Sequence, residues 1–372
     1  MRICILLAAL AAMELPGFAA RHMTVDQLQE FLAKQRAAYK TDSEIAKQIG
    51  SVDLTEQLTR SMLDRMEATL NLGPKTGMAL DVLADTSSFL DPPASKLDDK
   101  PTPEDGRRKS MTKAMGDFAA LTLRRLPDFL ATRITRSFDN TPVAADSEGW
   151  YPPSDILHLT GTFSQDITFR KGSEVFIGMS RVQGAQKKRL RTGPDFTPIG
   201  EFGPLLNVVM EDAKKGSLAW SRWQATPTGP VAVFEFEVPK KASHFQVGAC
   251  LNRDTKKKRK NDSDSLCYTA SYHGMLYLDP ATGVIRRVIL EARFKDKDPI
   301  HRAALSVEYA PVTIGNKSCV CPVRSVAIIS ILDHPEGGPY KRTLLWLDEV
   351  RFTNYHRFGS TVEVLNQTPS RP

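Results

Sequence analysis

Cys250, Cys267, Cys319 and Cys321 are the cysteines beyond the first twenty residues. Thiols offer disulfide formation, soft-metal ligation and redox exchange. Cys319-Val320-Cys321 sits in a strand-like segment, where residues two apart point to one face. A bond between these two would be strained. No Cys-x-x-Cys or paired histidine accompanies them, so structural thiols are favoured over half of a metal site. Cys250 and Cys267 flank a polar stretch that holds Lys256, Lys257, Lys258, Arg259 and Lys260. Paired cysteines at a hairpin base stand roughly 5.5 Å apart between Cα atoms. A Cys250–Cys267 bond closing that loop would contribute about 3 kcal/mol. The basic run has no interleaved aromatics, which a single-strand nucleic-acid platform needs. It reads as a solvated tip with weak attraction to anionic lipid or polymer, screened over about 8 Å. No specific nucleic-acid partner is expected.

Other chemistry lacks its spacing. The histidines do not form H-x-x-x-H or H-x-H pairs, although His273 and His356 could meet across a sheet. There is no G-x-S-x-G elbow, no P-loop and no G-x-G-x-x-G. Glu291, Glu308 and Glu349 alternate with apolar residues and read as a wet strand face. Arg286 and Arg287 read likewise as solvated. Trp220 and Trp223, three apart in a strand, should point to opposite faces. No catalytic, cofactor-binding or metal-ligating residue is therefore nominated, and no cofactor is expected.

The elements that would position any site fall into two blocks. "MRICILLAALAAMELPGFAA" has Arg2, an apolar run, a Pro16-Gly17 break and small residues at Gly17 and Ala19. It reads as a secretory signal peptide over residues 1–20, although Glu14 departs from the pattern. No later stretch approaches the roughly 20 apolar residues of a membrane helix. The expectation is an exported protein, periplasmic or secreted. Residues 21–139 then read as a helical domain, with a Thr24 cap and apolar stripes such as Leu54, Leu58, Met62 and Met66. A connector follows at 140–155. Residues 156–372 read as short β-branched and aromatic strands with tight turns such as "DPATG", and one helix at about 200–215. The fold class is α+β: a helical unit, then a large curled antiparallel sheet, half-barrel-like, with one packed helix. Hydrophobic residues at 41% and charged residues at 25% suit a globular chain, and a net charge of +7 favours anionic surfaces weakly.

The segments "LPDFLATRITRSFDNTP", "GEFGPLLNVVMEDA", "YHGMLYLDPATGVIRRVILEA", "VEYAPVTIGNKSCVCPVRSVAI" and "VRFTNYHRFGS" carry a resemblance. Together with "FLDPP" they resemble a family of exported bacterial proteins of unknown function. The order of strands, helix and a long antiparallel run is similar, at fold level only, to the half-barrels of outer-membrane lipoprotein-sorting proteins. The aromatic and aliphatic strands, the absence of catalytic motifs and this fold-level likeness together point to a non-enzymatic exported protein. An apolar ligand, lipid or lipoprotein-like, or a partner protein would bind its curled sheet. The alternative is a hydrolase whose site is assembled from distant strands.

Overall fold

The computed structural model describes residues 21–140, 156–183, 200–250, 265–296, 298–333 and 342–357. Residues 1–20, read above as a signal peptide, and the Lys256–Lys260 run lie outside the described residues.

The chain opens with β1 (Arg21–Met23), α1 (Val25–Ala37), α2 (Asp42–Ile49) and β2 (Val52–Leu54). Next come α3 (Arg60–Leu70), α4 (Pro74–Thr86) and α5 (Asp105–Arg125). The starts are chemically marked. Thr24 and Gln27 form a capping box on α1, and Thr41 and Glu44 form one on α2. Asn71 ends α3 in the left-handed region. Pro74 opens α4, whose first free N–H groups, on Lys75 and Thr76, donate to the Asp42 carboxylate at 2.9 Å each. A Cβ on Gly73 would meet that carboxyl group at 2.4 Å, so a side chain there would push the Asp42 carboxylate off the start of α4. Leu28, Leu32, Ile45, Ile49, Leu58 and Leu80 form the buried helical core.

The sheet strands are β3 (Phe129–Asp139), β4 (His158–Arg170), β5 (Ser173–Gln183), β6 (Ser217–Thr226) and β7 (Gly229–Val238). They continue with β8 (Gln246–Cys250), β9 (Ser265–Thr269), β10 (Ser271–Leu278), β11 (Ile285–Arg293), β12 (Ile300–Ile314), β13 (Lys317–Asp333) and β14 (Arg342–Arg357). Helix α6 (Pro204–Lys215) precedes β6. Ten strands form one antiparallel sheet in the order β5-β4-β3-β14-β13-β12-β11-β10-β7-β6, which stays open rather than closing into a barrel. The architecture is α+β with a curled, half-barrel-like sheet. β8 and β9 form a separate hairpin.

Residues 129–139 differ from the expectation of a helical segment. Their alternating burial and their pairing with β14 and β4 make β3 a central strand. Thr132, Ile134 and Thr135 favour that state.

Both sheet faces are covered. On one face, Leu206, Val209 and Met210 of α6 and Met115 of α5 pack on Phe234, Leu276, Val288 and Leu305. Leu205 is buried there and Val208 is half-buried, as the apolar run of this helix predicts. The turn at 279–283 locks α5 down: the Cβ of an alanine at Gly283, where φ is +72°, would strike the Ala114 backbone at 2.5 Å. On the other face, Val82 of α4 and Phe89 pack on Phe138, Ile328 and Leu347.

Two strand-level expectations change. Trp220 and Trp223 do not point apart. A register shift between Trp220 and Arg222 turns both to one face, with rings 4.8 Å apart. Glu349 does not lie on a wet face: it is buried under α4. No helix among the described residues is long and apolar enough to cross a membrane.

Candidate functional site

Helix α4 presents three faces, which makes it the centre of the molecule. Leu80 and Ala84 enter the helical core. Asp81 and Asp85, one turn apart, face the sheet. Met78, Ala79 and Val82 face a cavity of about 620 Å³.

That cavity lies between the helical layer and the sheet. Ile49 of α2, Leu54 of β2, Phe138 of β3, Leu159 of β4, Ile328 of β13 and Leu345 of β14 complete its apolar wall. Met78 is 46% exposed, which marks the open side with a flexible, polarizable side chain. Polar groups are few. His22, Lys75, His158 and Arg302 contribute, with Asp53 the only carboxylate among them. His158 Nε2 is 3.3 Å from an Asp139 carboxylate oxygen. Arg302 donates from Nε to Glu291 at 3.0 Å and lies over the Phe89 ring. Lys75 donates to the Ser43 hydroxyl at 2.6 Å. Such a volume, apolar with a few placed polar groups, is typical of a small-molecule site.

An ion-pair network fastens α4 beside the cavity. Asp85 is fully buried and accepts from Arg324 of β13 and, at 2.6 Å, from Arg60 of α3. Arg136 of β3 bridges Asp81 at 3.0 Å and Glu349 at 2.8 Å. Arg324 also donates to Glu308 and Glu349, and Arg351 donates to Glu349. Burial pushes the Asp85 carboxyl up to about 6, against the pull of Arg324 and Arg60. Burial would raise Glu349 too, but Arg136, Arg351 and Arg324 hold it below its ordinary range.

A second charged cluster lies at the turn leading into α6, on the opposite face. Glu174 of β5 accepts N–H bonds from Gly200 and Phe202 at 3.2 and 3.1 Å. Glu201 accepts from Ser325 at 3.1 Å and lies 3.8 Å from the buried Arg133 guanidinium. Burial, then the charge of Glu201, pushes Glu174 up to about 7. Phe202 enters an aromatic group with Phe129, Phe169 and Phe352.

At the far end of α6, buried Asp212 accepts from the Tyr272 hydroxyl at 2.9 Å and from the His244 backbone at 2.8 Å. Its other oxygen is 2.5 Å from His244 Nδ1, while the His244 side chain is 62% exposed. A buried carboxylate thus orients a solvent-facing imidazole. Nothing in the sequence spacing marks this group, because its members come from a helix, a loop and a strand.

The residues weighed from sequence disperse. His273 and His356 do not meet, since β11, β12 and β13 lie between their strands. Cys321 is buried among the phenylalanines, and burial raises its thiol pKa; Cys319 and Cys321 are both free. In the β8–β9 register Cys250 stands opposite Ser265 and Cys267 opposite Gly248, a diagonal rather than a facing pair. No group of three His, Cys, Asp or Glu residues among the described residues could hold a metal ion.

No protein-family model matches the chain. No curated protein matches it either. A crystal structure of a LolA superfamily protein from Nitrosomonas europaea is weakly similar. Identity is 9% and the TM-score 0.25, over 68% of this chain and 94% of that one. A likeness of that size carries nothing about ligand or activity.

Proposed function

We propose that the chain is an exported, non-enzymatic binding protein that holds a lipid-like apolar ligand between α4 and the sheet. The observation that supports this is the cavity of about 620 Å³ lined by aliphatic side chains from both layers. An aliphatic chain placed there would be removed from water at about 25 cal/mol per Å² of apolar area. The polar end of the ligand would lie near His22, Lys75, His158 and Arg302.

Native mass spectrometry of the full chain, followed by solvent extraction, tests the reading. A co-purifying amphiphile is expected, lost in Ala79→Trp, which fills the cavity. A protein that carries no such species and takes up no added fatty acid would exclude the proposal.

The hydrolase reading rests on the Asp212–His244 pair, an imidazole oriented as a general base requires. Turnover of an ester panel that disappears in His244→Ala would favour it over the binding reading. Turnover unchanged in that variant, or none at all, would remove it.

A further inference from the structure

A second cleft, of about 310 Å³, lies on the other side of the α4 end. Its charge is one-sided. Arg60, Lys96, Arg286, Arg287 and Arg324 line it, against Glu308 as the single lining carboxylate among the described residues. The neighbouring network accounts for Arg60 and Arg324, which are held by Asp81, Asp85, Glu308 and Glu349. Arg286 lies 3.5 Å from Asp279. Arg287 and Lys96 have no carboxylate partner among the described residues.

Arg287 is nevertheless held in place. It donates to the Ser88 carbonyl at 2.5 Å and to the Ser306 hydroxyl at 3.0 Å, and lies over the Tyr277 ring. Gln57, with its amide oxygen turned to the guanidinium, accepts from it as well. A cation fixed only by neutral acceptors keeps its full charge for a ligand.

Three buried polar atoms on residues lining the same cleft are unsatisfied among the described residues: Ser88 Oγ, Gln224 Oε1 and Tyr309 Oη. Ser88 Oγ, on a residue 3% exposed, has no hydrogen-bond partner among the described residues. Gln224 Oε1, also buried, has none. Buried polar groups are normally paired, so these atoms point to a group that the cleft receives. The Ser88 and Tyr309 hydroxyls can each donate or accept, while the Gln224 oxygen only accepts. The ligand must therefore carry negative charge, accept several hydrogen bonds, and also donate one.

We propose that this cleft binds a phosphate monoester. Its oxygens meet Arg287, Lys96 and Ser88, and a ligand hydroxyl donates to Gln224. A phosphate carries about −1.5 to −2 charge near neutrality with three strong acceptors, which suits cations converging from several elements. Leu58, Ala84, Pro227 and Val231 line the remaining wall and give the ester's organic part an apolar surface. The site is separate from the lipid-like reading of the larger cavity.

Isothermal titration calorimetry on the full chain, at constant ionic strength, tests this with glycerol 3-phosphate, inorganic phosphate and glycerol. Saturable binding is expected for glycerol 3-phosphate, weaker binding for inorganic phosphate, and none for glycerol. Arg287→Gln should weaken binding by about tenfold or more. Because Arg287 also supports Ser88, Lys96→Ala is the companion variant. It should keep the thermal melt of the parent and still weaken binding by about tenfold. No saturable binding of either phosphate, or unchanged binding in Lys96→Ala, overturns the site. Inorganic phosphate binding as tightly as the ester overturns the choice of a monoester.

Discussion

Arg324 on β13 donates to the buried carboxylate of Asp85 on α4, across 239 residues of sequence. The pair joins the helical layer to the sheet. Removing one member of a buried pair leaves an uncompensated charge, at a cost of about 3–5 kcal/mol. Arg324→Met is therefore expected to destabilise by about that much in urea unfolding. A change below about 1 kcal/mol would show that Arg60 alone satisfies Asp85.

Leu205→Asp places a charge between α6 and the sheet, where Leu205 is buried against the core. The expected loss is about 3 kcal/mol or more. An unchanged melting temperature would mean that this helix face does not bear on stability.

Glu174 should make the protein less stable as pH rises. Burial, then Glu201, sets its folded pKa at about 7, above the ordinary 4.5. Its contribution is then fully present below about 4.5 and lost as pH rises through about 7. Carbon-13 NMR of labelled glutamate should find its midpoint near 7. Glu201→Gln removes a neighbouring negative charge and should lower that midpoint. A midpoint that stays put in the variant would contradict the coupling.

The β8–β9 register sets Cys250 and Cys267 one diagonal step apart. Diagonal positions are about 7–8 Å apart, beyond the usual disulfide span. Non-reducing peptide mapping is expected to show both thiols alkylated. A Cys250–Cys267 peptide would require a shifted register. Replacing Lys256–Lys260 with Ser and Gly should leave the melt unchanged and reduce only salt-sensitive binding to anionic vesicles.

The local layer of this fold is written in local chemistry. Thr24 with Gln27 and Pro74 mark helix starts, and Asp279 to Gly283 mark a turn. What escapes depends on pairing. Glu349 alternates with apolar residues as an exposed strand residue would, yet α4 descends on its face. Trp220 and Trp223 obey two-residue alternation only until a bulge intervenes. The large cavity draws on α2, α4, β3, β13 and β14, and no window of sequence holds more than one wall of it.

The pairing of β3 with β14 also dictates an order of assembly. Asp139 stands opposite Trp346, and Phe129 opposite Arg357. Until residue 357 is available, the sheet can exist only as two fragments, β3 to β5 and β6 to β13. Each fragment has an unsatisfied edge at what will be the middle of the finished protein. Long-range closure of this kind is slow, because the loop entropy is lost before the contacts form. A chain made N-terminus first therefore passes through a stage in which its future interior is sticky and open. Pulse-labelled hydrogen exchange should show the β3 amides that face β14 becoming protected together with those of β14, after the amides of β10 to β12. Early protection of the β14-facing amides of β3, before β14 itself, would break that order.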